Sequence, residues 1–204
     1  VTKLYLIRHG ETDWNAERRF QGQADRALNE TGLAQAQALA ECIATLPETF
    51  STLYASPLKR TMQTAEPLAQ KLNLTVQTVP EIIEINCGQW EGMIGYEIDK
   101  VYHGELAAWR ANITTYPMPG GESVTQMQQR GVPFYQRLTQ DHPDDAVLIV
   151  GHGASLLAMM CHFMEWELAP TWADRSKRLI NVGLSVLHLG DENIIERFNW
   201  TGDE

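Results

Sequence analysis

The chain has 204 residues, enough for one large domain or one domain with an insertion. Sixteen Lys and Arg against 26 Asp and Glu leave a formal charge of −10, which disfavours nucleic acid and anionic membrane surfaces as partners. A hydrophobic content of 44% with 21% charged residues excludes a disordered chain, and no apolar run reaches the ~20 residues needed to span a bilayer.

Lys3–Ile7 is a short apolar run that reads as a buried strand, not as a secretory signal. A polar stretch follows from about Glu11 to Asn29. Thr31–Leu46 places Leu33, Ala36, Leu39, Ala40 and Ile43 at helical spacing, and Pro47 stops it. Thr52–Ala55 reads as a second strand. Ser56-Pro57 then predicts a helix start, with Ser as N-cap and Pro in the first helical position, running to about Leu72. Thr75–Val79 is a third strand. Residues 93–116 have irregular helical spacing, and Pro117, Pro119, Gly120 and Gly121 break the chain. Glu122–Gln140 is a long helix, Ala146–Val150 the most apolar strand, and Ala154–Met164 a buried helix. Leu184–Leu189 and Ile194–Phe198 read as a hairpin. Strands separated by helices predict an α/β fold with a mostly parallel sheet covered on both faces, and residues about 88–135 form a helical insertion in a single domain, 1–204. Cys42, Cys87 and Cys161 are too scattered for a disulfide framework or a zinc site, so each reads as a small buried side chain in a cytoplasmic protein.

Four constellations carry chemistry. Arg8-His9-Gly10 stands at the end of the first strand, where ligands bind in open α/β sheets. Gly151-His152-Gly153 repeats that grammar after the most apolar strand and opens a helix, whose N-terminus favours an anion. Arg60 follows the second strand, and its planar fork suits a phosphate or carboxylate. Glu81 and Glu84 follow the third strand. A carboxyl at such a rim becomes a proton donor when burial or an anionic ligand favours its protonated form, but spacing alone does not choose between the two.

Two His, two Arg and a Glu suit phosphoryl transfer. A neutral His can attack phosphorus, the arginines and second His can hold the phosphoryl oxygens, and Glu can protonate the leaving oxygen and then activate water. No metal-binding motif is present, and two arginines would oppose a cation, so neither metal nor cofactor is expected.

The segment Leu6-Ile7-Arg8-His9-Gly10-Glu11-Thr12-Asp13-Trp14-Asn15 resembles the signature of the histidine phosphatase superfamily, the phosphoglycerate-mutase-like family. The likeness continues through Arg19-Phe20-Gln21-Gly22, Leu28-Asn29-Glu30-Thr31-Gly32, Ser56-Pro57-Leu58-Lys59-Arg60-Thr61, Glu84–Gly92, Pro119-Gly120-Gly121-Glu122-Ser123 and Val150-Gly151-His152-Gly153. This resemblance implies a three-layer α/β/α sandwich. It implies His9 as the phosphorylated nucleophile, with Arg8, Arg60 and His152 completing a phosphate pocket. Glu84 becomes the proton donor, Asn15 and the Gly153 N–H bind phosphoryl oxygens, and Gln21 and Gly22 line the substrate entrance.

Gly88-Gln89-Trp90-Glu91-Gly92 looks like the phosphatase branches of that family, whereas mutases typically carry an Arg-x-Tyr-Gly pattern. Between Glu84 and Gly121 only Lys100 and Arg110 are basic, few for holding a second phosphate. The expectation is therefore metal-independent hydrolysis of a small phosphorylated metabolite by a monomer or homodimer. A phosphoglycerate mutase is the alternative, and a regulatory binding module with weak catalysis or a metal-dependent hydrolase are weaker ones. Trp90, Met93, Ile94, Tyr96, Tyr102, Trp109, Tyr116 and Met118 of the insertion either cover a ring-bearing leaving group or pack the insertion, and packing is favoured. His103, His142, His162 and His188 match no motif. Residues 1–30 hold five basic and five acidic groups, so the excess negative charge lies away from the signature.

Overall fold

The computed structural model describes residues 1–202. Its elements are β1 (Thr2–Arg8), α1 (Asp13–Ala16), α2 (Glu30–Ile43), β2 (Phe50–Ala55), α3 (Lys59–Leu72), β3 (Val76–Thr78), α4 (Gly95–Val101), α5 (Glu105–Ala111), α6 (Val124–Asp141), β4 (Ala146–Gly151), α7 (Gly153–Phe163), α8 (Leu168–Ala173), β5 (Leu184–Leu189) and β6 (Ile194–Trp200). The six strands form one sheet in the order β3-β2-β4-β1-β5-β6. β1, β4, β2 and β3 pair in parallel, while β5 runs antiparallel to both β1 and β6.

Alternation along the strands builds two cores. Leu4 and Leu6 of β1, with Val147 and Ile149 of β4, meet Phe134, Tyr135 and Leu138 of α6 and Leu156, Met159 and Met160 of α7. Tyr5 and Ile7, with Leu148 and Val150, meet Leu39, Ala40 and Ile43 of α2 and Ala65 and Leu68 of α3. The period of two sends successive side chains to opposite faces, so a sheet with helices on both sides follows. This is the expected three-layer α/β/α arrangement.

A third core joins the insertion to the body. Trp90, Ile98, Leu106 and Met118 pack with Val124 and Met127 of α6 and Ala158 of α7. Phe20, Trp90 and Trp109 meet edge-to-face with centroids 5.7–5.8 Å apart. Trp90 and Met118 are thus packing residues, while Tyr96 stays exposed. Cys87 and Cys161 are buried and Cys42 is half-buried.

Three local expectations are corrected. Helix α3 begins at Lys59 with Leu58 as N-cap, two residues later than Ser56-Pro57 implied. Ser56 instead extends the β2 ladder, its N–H donating to the Val150 carbonyl, and its hydroxyl is taken by His152. The polar stretch after Gly10 contains α1, which closes on a capping box between Thr12 and Asn15. The short α8 was not anticipated, because six residues with an internal Pro170 carry little helical period.

Candidate active site

Sheet register assembles the site. Arg8 stands opposite Gly151, Ile7 opposite Val150, and Ala55 opposite Val150, so β1, β4 and β2 end side by side. The next residues are His9, His152 and Ser56. The His9 N–H donates to the Gly151 carbonyl at 3.0 Å, which carries the ladder one residue past the strand. Glycine at position 10 is required by packing: a Cβ there would lie 2.6 Å from the Gly32 carbonyl oxygen, so α2 sits hard against this turn.

The two imidazoles are 5.3 Å apart, centroid to centroid, and both are buried, His9 at 3% and His152 at 0% exposure. His9 Nδ1 lies 2.7 Å from the Gly10 carbonyl. A carbonyl only accepts, so Nδ1 carries the proton and Nε2 the lone pair. Burial, with the positive charges of Arg8 and Arg60, pushes the His9 pKa well below its ordinary value. The ring is therefore neutral at pH 7, as a nitrogen nucleophile must be.

His152 is wired differently. Arg60 Nε lies 3.2 Å from His152 Nδ1 and can only donate, so Nδ1 accepts. Nε2–H then donates to Ser56 Oγ at 2.7 Å. Burial and the charge of Arg60 push the His152 pKa well down too. Arg60 itself is wholly buried, with Nη1 and Nη2 donating to the Ala24 and Gly22 carbonyls, each at 2.8 Å. Gly22 has φ +53°, and a Cβ there would meet a Glu91 carboxyl oxygen at 2.3 Å, so only glycine presents this carbonyl to Arg60.

Arg8 Nη1 donates to the Leu179 carbonyl at 2.6 Å, but its Nε is buried without a hydrogen-bond partner. An oxyanion bound there would satisfy this N–H. Burial lowers the Arg8 pKa from its ordinary value and the Glu84 carboxylate opposes that. Glu84 occupies the N-terminus of α7: Ile85 N–H reaches Oε1 at 2.8 Å, while Ala154 and Ser155 N–H reach Oε2 and Oε1 at 3.2 Å. The anion at this helix start is thus a side chain of the protein, and the helix dipole favours it. Glu81 points elsewhere, to an ion pair with Arg137.

Residues absent from the sequence reading hold the set in place. Arg130 donates to the carbonyls of Glu81, Ile83 and Glu84 and to the Glu122 carboxylate, which also accepts from Asn86 N–H. Asn181 Nδ2 donates to the His9 carbonyl at 2.9 Å and approaches Asn15 Oδ1 at 3.3 Å. Beside it, Val182 has φ +50°, a strained conformation for a β-branched residue, and donates to the Arg8 carbonyl. Asn15 spends its Oδ1 on Thr12 and Asn181.

A cavity of about 1230 Å³ opens at this site and is bordered by Arg8, Glu84 and Gly153. Gln21 and Gly22 are buried and do not border it, and neither do His9, Asn15, Arg60 or His152; the cavity meets this cluster at Arg8, Glu84 and Gly153. Among the described residues, no three His, Cys, Asp or Glu side chains gather as a metal site.

The model of the histidine phosphatase superfamily (branch 1) matches residues 4–201. The chain is 34% identical over 202 residues to phosphoserine phosphatase 1 of Hydrogenobacter thermophilus, covering 98% of this chain and 93% of that one. It is 37% identical over 167 residues to a 2,3-bisphosphoglycerate-dependent phosphoglycerate mutase of Cytophaga hutchinsonii, covering 78% and 76%. Its fold matches a mycobacterial glucosyl-3-phosphoglycerate phosphatase solved with VO3, at TM-score 0.86 and 28% identity, covering 98% and 99%. The chain belongs to the histidine phosphatase superfamily, and it is a phosphatase of that superfamily.

Proposed function

We propose that this enzyme hydrolyses small phosphomonoesters without a metal, through a phosphohistidine on His9. The observation that carries the reading is the His9 tautomer: Nδ1 is tied to the Gly10 carbonyl, which leaves a bare Nε2 in a buried site beside Arg8 and Arg60. Nε2 attacks phosphorus, the bond from phosphorus to the ester oxygen breaks, and the Glu84 carboxylate relays to that oxygen the proton that the monoanionic ester brings in. Water then attacks phosphorus, Glu84 takes a proton back, and the P–N bond breaks to release inorganic phosphate. Arg8, Arg60 and His152 supply the positive and dipolar surroundings that stabilise the transferring group. Gly153 borders the cavity, where its N–H serves the phosphoryl group, and Asn15, whose Oδ1 is taken by Thr12 and Asn181, serves through its amide N–H. Gln21 and Gly22 act indirectly, Gly22 through the carbonyl that fixes Arg60.

The chain is read as one domain whose insertion, about residues 88–135, walls the cavity through Trp109–Thr115. The mutase relative favours a second reading, in which another phosphoglycerate replaces water as acceptor. Rapid acid-free quenching with labelled substrate should trap acid-labile phosphate on His9. Glu84→Gln should slow alkyl phosphates far more than 4-nitrophenyl phosphate, whose leaving group needs no proton. A label that resists acid, or equal loss on both esters, would refute the mechanism. Label transfer to added phosphoglycerate in preference to water would favour the mutase.

A further inference from the structure

The cavity that meets the site at Arg8, Glu84 and Gly153 is also lined by arginines from other parts of the chain. Arg110 of α5 lines it, and so do Arg175 and Arg178. Phe20, Leu157, Trp109 and Trp172 supply apolar lining, and Asp174 lines the cavity as well. The count of basic residues between Glu84 and Gly121 missed Arg175 and Arg178, because they follow α8 and reach the cavity only through the fold.

All three arginines are exposed, and among the described residues none forms an ion pair or a side-chain hydrogen bond. In a chain of charge −10, three guanidinium groups left free on one cavity are not a random scatter. The carboxylate beside them, Asp174, accepts from the Ser176 N–H at 2.9 Å and hydroxyl at 2.7 Å, and so is already engaged. Lys177 turns away and lies 4.2 Å from the Trp166 ring centre, so the lysine packs outward while the arginines on either side face the cavity.

The backbone here is fixed relative to the reacting centre. The Leu179 carbonyl accepts from Arg8, Asn199 Nδ2 donates to the Arg178 carbonyl at 2.8 Å, and Asn199 Oδ1 accepts from Ile180 N–H at 3.0 Å. Arg178 is therefore one residue from a direct contact of the phosphate-side arginine.

We infer that Arg110, Arg175 and Arg178 form a subsite for a second anionic group, so that the preferred substrates are phosphomonoesters whose leaving group itself carries a carboxylate or a second phosphate. This rests on the phosphatase reading above. The phosphoryl group goes to His9, the middle of the leaving group lies along the apolar wall, and its distal anion meets the guanidinium forks.

Three aryl esters with similar leaving groups test this: 4-(hydroxymethyl)phenyl, 4-(carboxymethyl)phenyl and 4-(phosphonomethyl)phenyl phosphate. The wild-type enzyme should favour an anionic ester over the hydroxymethyl ester by at least about tenfold in kcat/KM, the scale of one charge-assisted hydrogen bond. The carboxymethyl and phosphonomethyl arms tell which anion is preferred. Arg175→Gln with Arg178→Gln should collapse that ratio, Arg110→Gln should reduce it, and Lys177→Gln should leave it intact. Higher ionic strength should erode it. A wild-type ratio near one, or a ratio that falls as much in Lys177→Gln, would overturn the subsite while leaving phosphatase activity standing. No turnover of any ester would overturn the phosphatase reading and the subsite with it.

Discussion

The ends of β1 and β4 carry the same words, a strand followed by His-Gly, and the structure gives them opposite wiring. His9 has one nitrogen bound to a backbone carbonyl and the other free. His152 has both nitrogens occupied, one accepting from Arg60 and one donating to Ser56. Both rings are buried and neutral, so burial does not separate them. Their partners do. A fully bonded imidazole cannot attack phosphorus without breaking its own contacts, whereas one with a bare Nε2 pays no such cost. On the mechanism proposed above, the β1 exit reacts and the β4 exit holds Arg60 in place.

The largest expected effect breaks the comparison outright if it fails. His9→Ala should lower kcat at least about 10⁴-fold, the scale seen when a nucleophile is removed. His152→Ala should cost about 10²-fold, comparable to losing one preorganised polar group, and should still accumulate label on His9. Peptide mapping of the trapped phosphoenzyme decides the matter: phosphate on His152, or equal losses in the two variants, would abolish the distinction.

Much of this was legible from residue order. Strand alternation in Leu4–Ile7 and Val147–Val150 specified a sheet buried on both faces, and the motif residues Arg8, His9, Glu84 and His152 do converge. What escaped was tertiary. Ser56 looked like a helix cap because Ser-Pro is a helix-start pattern, but a buried imidazole N–H needed an acceptor more than the helix needed a cap. Arg130, Asn181 and Leu179 act through backbone carbonyls contacted at long range, and nothing in their local sequence announces a partner 46 to 172 residues away. The free arginines at 175 and 178 were invisible for the same reason. A capping pattern at Thr12–Asn15 would have revealed α1, had polar residues been read for caps as well as for period.

Acid stability sharpens the comparison from the other side, because here the two exits should be alike. Both folded-state pKa values lie well below the ordinary 6.5. Above pH 6.5 each ring is neutral folded or unfolded and contributes no slope. Below it the unfolded chain binds protons that the fold refuses, so stability falls with acidification toward the depressed folded value. Each ring then contributes up to about 1.4 kcal/mol per pH unit. Urea unfolding between pH 6.5 and 5 should show a slope reduced by about that amount in His9→Asn and again in His152→Asn. An unchanged slope in either variant would mean that ring is protonated in the fold.

The smallest effect tests the bracket itself. Ser56→Ala removes the acceptor of the buried His152 Nε2–H and should cost about 1–2 kcal/mol of stability, the penalty for leaving such a donor unmet. It should slow kcat only severalfold, because the His9 side is untouched. In a His152→Ala background the same change should cost much less, since no donor is left stranded. A double-mutant cycle in urea measures that difference. Coupling near zero would mean that Ser56 does not orient the ring, and that the β4 exit keeps its geometry through Arg60 alone.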